Sequence, residues 1–379
     1  MYSRRGFIKS VVAAGTAAAV FELTREAKAA LPAVTQLPTK GAVVDWSSYW
    51  ISPRTLAILR SRTSAPRVVS ETADAVVIET ASGLRQFYPT ASLDIEKRSR
   101  AVANAGISRQ VLTFPSSLGI DAALSPSEAR EFWTAYNDDL SAVVKSNPSR
   151  WTGLAGVTTA DPAWSATEVE RAVGKLGLLG VSLSSAALET LAGAEKLRPV
   201  FAAADKWRAH VNVQAGHASG ALPGYTAVAP REDDAPELRS LFDAGESLAL
   251  AAITLAHTGF LDSFPAVTIQ LSQLGGGTPL LASLLALYDS RDNLGDGLGQ
   301  LRKLYYDTAE VGGSGHIPEF AVATLGSERL LFGSGYPETP IREVWDGVGK
   351  SSIPEPDKRG ILFANGVTLI ASKTATLAG

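Results

Sequence analysis

Three observations predict an α/β fold, a (β/α)8 barrel carrying a small β-hairpin insertion after its first strand. Short apolar, β-branched runs alternate with longer segments of helical spacing, and eight such runs can be placed along the chain. No glycine-rich dinucleotide fingerprint follows the first of them, which argues against an open Rossmann sheet. The chain has 379 residues, 45% of them hydrophobic and 19% charged, and barrels of this kind commonly run past about 250 residues as one unit.

The N-terminus reads as an address rather than as part of the barrel. Ser3-Arg4-Arg5-Gly6-Phe7-Ile8-Lys9 matches a twin-arginine export signal. The apolar stretch Val11 to Phe21 that follows is too short to cross a hydrocarbon core of about 30 Å as a helix, so no stable membrane anchor is expected. Ala27-Lys28-Ala29 supplies the small residues of a cleavage site. Residues 1–29 are therefore assigned to a leader, 30–40 to a proline-containing linker and 41–379 to the barrel. The translocase that reads such leaders is the expected export partner, and the expected location is the periplasm. Loss of the leader takes the formal charge from −3 to −6, because more basic than acidic residues leave with it.

Strands are predicted at 42–45, 109–113, 152–156, 180–183, 210–214, 267–272, 304–308 and 329–333. Helical candidates occupy 93–105, 126–145, 165–176, 197–208, 235–257, 278–289, 318–325 and 339–348. Pro126-Ser127-Glu128 opens the second of these, and Ser165 is the expected N-cap of the third, with Glu168 three residues on. Between residues 66 and 90 the strand-like runs Val68-Val69 and Ala75-Val76-Val77-Ile78 are followed by a Ser82-Gly83 turn, which reads as a small β-hairpin. An insertion leaving the C-terminal end of a barrel strand is placed to roof a pocket. Gly275-Gly276-Gly277 lacks the Walker lysine and reads as a turn.

Composition excludes several classes of function. An acidic chain with no basic tract offers nothing to a phosphate backbone, so nucleic acid is not an expected partner. With no cysteine, thiolate nucleophiles, disulfides, zinc-cysteine sites and iron–sulfur clusters all drop out. Homo-oligomerisation stays open.

The order of short motifs along the mature chain resembles the amidohydrolase-related family, the group of hydrolases and decarboxylases that includes aminocarboxymuconate-semialdehyde decarboxylase. Val43-Val44-Asp45 resembles its opening strand, and Ala105-Gly106-Ile107 with Gln110-Val111-Leu112 its second unit. Leu178 to Val181 resembles its fourth strand, Leu271 to Gly276 its sixth, Leu304 to Thr308 its seventh, Leu331 to Pro337 its eighth, and Asn365-Gly366 its closing helix. Members hold a divalent metal with a His-x-His on the first strand, one His each on the fifth and sixth, and an Asp after the eighth. At those positions this chain has Ser47 and Tyr49, Gln214, Gln273 and Gly335. The resemblance therefore implies a barrel of that family without its metal, since serine and glutamine are weak neutral ligands and glycine offers none. No cofactor is expected.

The replacements keep hydrogen-bonding capacity on the face where the fold converges its side chains. Asp45, Tyr49 and His217 are the candidate catalytic residues, for acid/base work at strand ends and in the loop after the fifth strand. Ser47, Trp46, Gln214, Gln273, Asp307, His316, Ser334 and Tyr336 are the candidate substrate-binding residues. Of the four histidines, His210 and His257 read as structural, while His217 and His316 sit in loops of the catalytic face. A serine nucleophile at Ser47 or Ser334 lacks a Gly-x-Ser-x-Gly elbow. The expected function is an exported hydrolase or carboxy-lyase acting on a small aromatic or carboxylate-bearing compound without the metal. The alternatives are a non-catalytic periplasmic binding pseudoenzyme, or a barrel that recruits a metal elsewhere through His217, His316 and an Asp.

Overall fold

The computed structural model describes residues 43–220, 235–292 and 296–374; the predicted leader and linker lie outside them. The first strand, β1 (Val43–Tyr49), is followed by α1 (Pro53–Ser61) and then by the insertion, β2 (Arg67–Glu71), β3 (Ala75–Glu79) and β4 (Arg85–Pro89). The barrel resumes with α2 (Ile95–Asn104), β5 (Ile107–Thr113), α3 (Pro126–Ser146), β6 (Trp151–Gly156), α4 (Pro162–Gly174) and β7 (Gly180–Ser184). It continues through α5 (Arg198–Lys206), β8 (His210–Gln214), α6 (Pro236–His257), β9 (Thr268–Leu271), α7 (Thr278–Asp292) and β10 (Tyr305–Asp307). It ends with α8 (His316–Leu325), β11 (Leu330–Leu331), α9 (Ile341–Lys350) and α10 (Asn365–Thr374).

Eight parallel strands pair in the order β1-β5-β6-β7-β8-β9-β10-β11, the order of a barrel built from successive βα units. Backbone bonds close it. Trp46 N donates to Phe332 O (2.7 Å), Gly335 N to Ser47 O (2.8 Å) and Tyr49 N to Tyr336 O (2.7 Å). The β1 register slips between Asp45 and Ser48, a bulge that re-aims side chains at a barrel rim.

Local sequence explains where the helices start. Ser125 and Glu128 form a reciprocal capping box ahead of Pro126, which opens α3. The expected N-cap of α4 is corrected: Pro162 fixes the backbone at the first helical position, and Asp161 caps by accepting from Trp164 N (3.1 Å). Ser165 lies inside that helix and exchanges hydrogen bonds with the backbone of Thr158. The predicted hairpin is a three-stranded antiparallel sheet. Arg85–Pro89 pairs with the whole of β3, from Glu79 opposite Arg85 to Ala75 opposite Pro89.

Most of the core lies between the strands and their helices. A second apolar cluster of Val44, Trp46, Val111, Leu154, Leu179 and Leu331 packs against Leu369 and Ile370 of α10. Trp46 belongs to that cluster and not to a substrate site. A Cβ at Gly366 would lie 2.2 Å from its indole nitrogen, so only glycine lets α10 come this close. His210 stacks edge-on against Trp46, and its ring nitrogens meet Thr268 Oγ1 and Gln270 Oε1, both at 2.9 Å. Burial pulls its pKa down to about 3, so it is a neutral structural imidazole. The Gly275-Gly276 turn has φ of +71° and +57°, and a Cβ on Gly276 would lie 2.2 Å from Gly245 O.

Candidate active site

A cleft of about 400 Å³ opens at the C-terminal ends of the strands. Tyr49 from the end of β1, His217 after β8, Gln273 after β9 and two glutamates, Glu310 after β10 and Glu338 after β11, line it. The insertion contributes Thr80, Ser82, Leu84 and Gln86, so it walls the cleft. The N-terminal turns of α6 complete the rim with Arg239 and Asp243.

The two glutamates organise its chemistry. Glu310 accepts from Tyr49 Oη (3.2 Å) and from Gln273 Nε2 (2.7 Å). Its backbone is held at φ +60°, a region costly for any residue but glycine. It fills the space left by Gly335, where a Cβ would lie 2.9 Å from Glu310 Cγ. Glu338 sits 2.7 Å from Tyr88 Oη and 3.3 Å from Ser117 Oγ. Burial raises the pKa of both glutamates, and the charge of Glu310 adds to burial in pushing Glu338 up to about 8. Burial, together with the charges of Glu310 and Glu338, holds Tyr49 well above the usual phenol value, so its hydroxyl is a donor at neutral pH.

Of the residues expected to form the site, Tyr49, His217 and Gln273 are brought together in the cleft. Burial lowers the pKa of His217, with the charge of Asp243 opposing. Gln214 is held just beneath, donating to Thr113 Oγ1 (2.6 Å) and accepting from Ser116 N (3.3 Å). The others lie elsewhere. Asp45 is fully enclosed and accepts four hydrogen bonds, from Ser334 N (2.8 Å), Ser334 Oγ (2.7 Å), Gln110 Nε2 (2.8 Å) and Ser47 N (3.3 Å). Asp45 and Ser334 thus form a tie between the first and last strands, out of reach of a ligand in the cleft. Asp307 is also enclosed, accepting from Gln270 Nε2 (2.6 Å) and Ala309 N (2.9 Å). Ser47 is buried beside it, both within 2.8 Å of where a Cβ on Gly333 would be. Tyr336 packs under the Arg98 guanidinium at 4.8 Å. His316 opens α8 on the outer surface with its side chain 92% exposed, paired with Glu319. That helix starts before Pro318, the expected first residue, and His316 in its first turn faces solvent.

Glu310 and Glu338 were not anticipated from sequence. The available signal was Gly335: losing an acid there invites a nearby side chain to refill the space, and both glutamates lie in the loops that follow β10 and β11. The residues that the resemblance sets at the metal positions, Ser47, Tyr49, Gln214, Gln273 and Gly335, are a poor donor set for a divalent metal. They are neutral, Tyr49 Oη and Gln273 Nε2 both donate to Glu310, and the Glu310 side chain packs against Gly335. Among the described residues no group of three or more His, Cys, Asp or Glu could hold a metal ion, at this site or through His217 and His316.

Comparison with known proteins gives a consistent set. The family model Amidohydro_2, described as amidohydrolase, matches residues 94–346, well over half of the chain. A γ-resorcylate decarboxylase of Polaromonas sp. is 24% identical over 294 residues, covering 73% of this chain and 87% of that protein. Among solved structures, the 5-carboxyvanillate decarboxylase of Novosphingobium aromaticivorans, complexed with manganese and 4-hydroxy-3-methoxy-5-nitrobenzoic acid, superposes with a TM-score of 0.65 at 18% identity. That match covers 87% of this chain and 96% of the other. A 2,6-dihydroxybenzoate decarboxylase from Rhizobium gives 0.63 at 19% identity, over 86% and 98%. These superpositions show a shared barrel.

Proposed function

This chain belongs to the amidohydrolase family, and we propose that within it the protein is a carboxy-lyase that releases CO2 from a small aromatic acid using its own proton donors and no divalent metal. The relatives named above are decarboxylases of aromatic acids, and a cleft of about 400 Å³ suits a compound of that size. One observation carries the metal-free part of the reading. Tyr49 and Gln273, standing where the family places two metal ligands, both converge on the carboxyl of Glu310.

Loss of CO2 from an aromatic ring needs a proton on the carbon that bears the carboxylate, so that the electron pair of the breaking C–C bond can return to the ring. A ring hydroxyl makes that carbon basic enough to accept it. Arg239 on the cleft rim carries the charge suited to orient a carboxylate, and His217, whose pKa burial lowers, can donate to it as a neutral imidazole. Tyr49, held as a neutral phenol, can donate to a ring oxygen.

The reading is tested with the mature chain, 2,6-dihydroxybenzoate and 5-carboxyvanillate. Elemental analysis is expected to find manganese, zinc and iron substoichiometric, and CO2 release is expected to be indifferent to a chelator. An equivalent of metal whose removal abolishes turnover sinks the metal-free reading; binding of either acid without turnover sinks the carboxy-lyase. The twin-arginine leader supports action in the periplasm. There, replacing Arg4 and Arg5 with lysine is expected to strand the protein in the cytoplasmic fraction, and unchanged export would count against it.

A further inference from the structure

We infer that the outward face of α6, α7 and α8 is covered by a second copy of this chain, so that the protein is a two-fold dimer built on those three helices. Among the described residues thirteen large apolar side chains are exposed, and eleven of them lie on these helices; the other two are Phe87 on the insertion and Leu191. Single exposed apolar residues scattered over a surface are ordinary, and a concentration on one face marks a contact.

The pattern follows the helices. α7 packs against α6 on one side and α8 on the other. Its Leu281, Ala282 and Leu285 turn to the barrel, which is all that a barrel helix needs. Yet Leu280, Leu284, Leu287 and Tyr288 recur at helical spacing on the opposite side and are 42–59% exposed. No charged residue occurs from Thr278 to Tyr288. A helix that is apolar all round belongs inside a larger structure. α6 continues the face with Phe242, Leu250 and Ile253 along its outer side and Leu238 and Leu241 at its start; Phe242 is 78% exposed and Leu238 70%. α8 adds Ile317 and Phe320. Elsewhere the outer sides are charged: α2 exposes Glu96, Lys97 and Arg100, and α9 exposes Arg342, Glu343 and Lys350.

Size and charge select the occupant. The eleven residues together expose on the order of 1,000 Å², more than the largest apolar patch of a typical monomer and close to the roughly 800 Å² that each partner buries in a stable interface. Such a face matches itself. Pairing it about a two-fold axis at α7 sets no like charges against each other, because α7 carries none from Thr278 to Tyr288. A lipid surface is a poorer match: helices that lie on membranes border their apolar face with lysine and arginine, and Arg239 is the only such residue between Pro236 and Tyr288. Leu241 also lines the cleft, so the interface reaches the mouth of the cleft.

The test is sedimentation velocity of the mature chain across the micromolar range, which is expected to give twice the mass of one chain. Leu284→Glu at the centre of the face and Phe242→Glu on the neighbouring helix each enter a two-fold pair twice, and each is expected to weaken association on the order of 10²-fold or more. Phe87→Glu, at an exposed apolar residue outside the face, is expected to leave association unchanged. Circular dichroism checks the fold of all three variants, whose substituted side chains are exposed in the single chain. A mature chain that sediments as a monomer throughout the range overturns the proposal; if that monomer floats with phosphatidylcholine–phosphatidylglycerol vesicles, lipid covers the face instead. A dimer that survives both L284E and F242E overturns the face as its seat. No substrate enters the test, so its outcome is independent of the carboxy-lyase reading.

Discussion

Replacing Asp45 with alanine is expected to lower the free energy of unfolding by about 4 kcal/mol, read as a reduced urea midpoint at unchanged slope. The carboxylate is fully enclosed and each of its oxygens receives two donors, Ser334 N and Ser47 N on one, Gln110 Nε2 and Ser334 Oγ on the other. That is the full acceptor capacity of an ionised group. Burial raises its pKa, and these four bonds oppose the shift. Alanine leaves four donors in a dry place with nothing to receive them, and it cuts the side-chain link between β1 and the segment after β11. The effect spreads further, because Gln110 Oε1 also accepts from Arg98 Nε (3.0 Å) and Arg98 Nη1 donates to Tyr49 O (2.8 Å). A loss below about 1 kcal/mol, the worth of a single ordinary hydrogen bond, would show that water or a shifted neighbour replaces the carboxylate and that Asp45 is not the tie described.

The role of Asp45 also shows where reading the chain stops. Position at a strand end made it a candidate base, and nothing local distinguishes that from a tie, because its partner Ser334 is 289 residues away. Strand positions were legible from the short apolar, β-branched runs, while the places of Tyr49, Gln214 and Gln273 came from the family resemblance, since Tyr49 lies past the register slip of β1 and Gln273 past the end of β9. The place of His210 at the start of β8 follows from counting along the strand. Loops carry no period. Glu310 and Glu338 are ordinary surface residue types until folding brings them beside Tyr49 and Tyr88, and His316 was assigned to the cleft on loop membership alone. The third strand of the insertion was missed because Arg85 and Gln86 open it with polar residues, although the solvent-facing side of such a strand is expected to be polar.

Asp307 makes stability depend on pH in a direction opposite to that of a salt-bridged carboxylate. Burial pushes its pKa from 3.8 to about 7, opposed by its bonds to Gln270 and Ala309 and reinforced by the charge of Asp45. The folded chain therefore keeps this proton up to about pH 7, while the unfolded chain gives it up near the ordinary value. Between those limits the native state binds more protons than the unfolded state, so stability is greatest at the acid end and is lost as the pH rises through about 7. The span corresponds to about 4 kcal/mol. Glu338 shifts in the same direction, so the wild-type curve alone does not isolate Asp307. Asp307→Asn does, because its amide oxygen can still accept from Gln270 while nothing at that position titrates. Urea unfolding of both proteins from pH 4 to 8 is expected to give a difference, wild type minus variant, that falls steadily by about 4 kcal/mol. Parallel curves would mean that Asp307 is ionised in the folded chain at acid pH, and that water reaches it through the barrel floor.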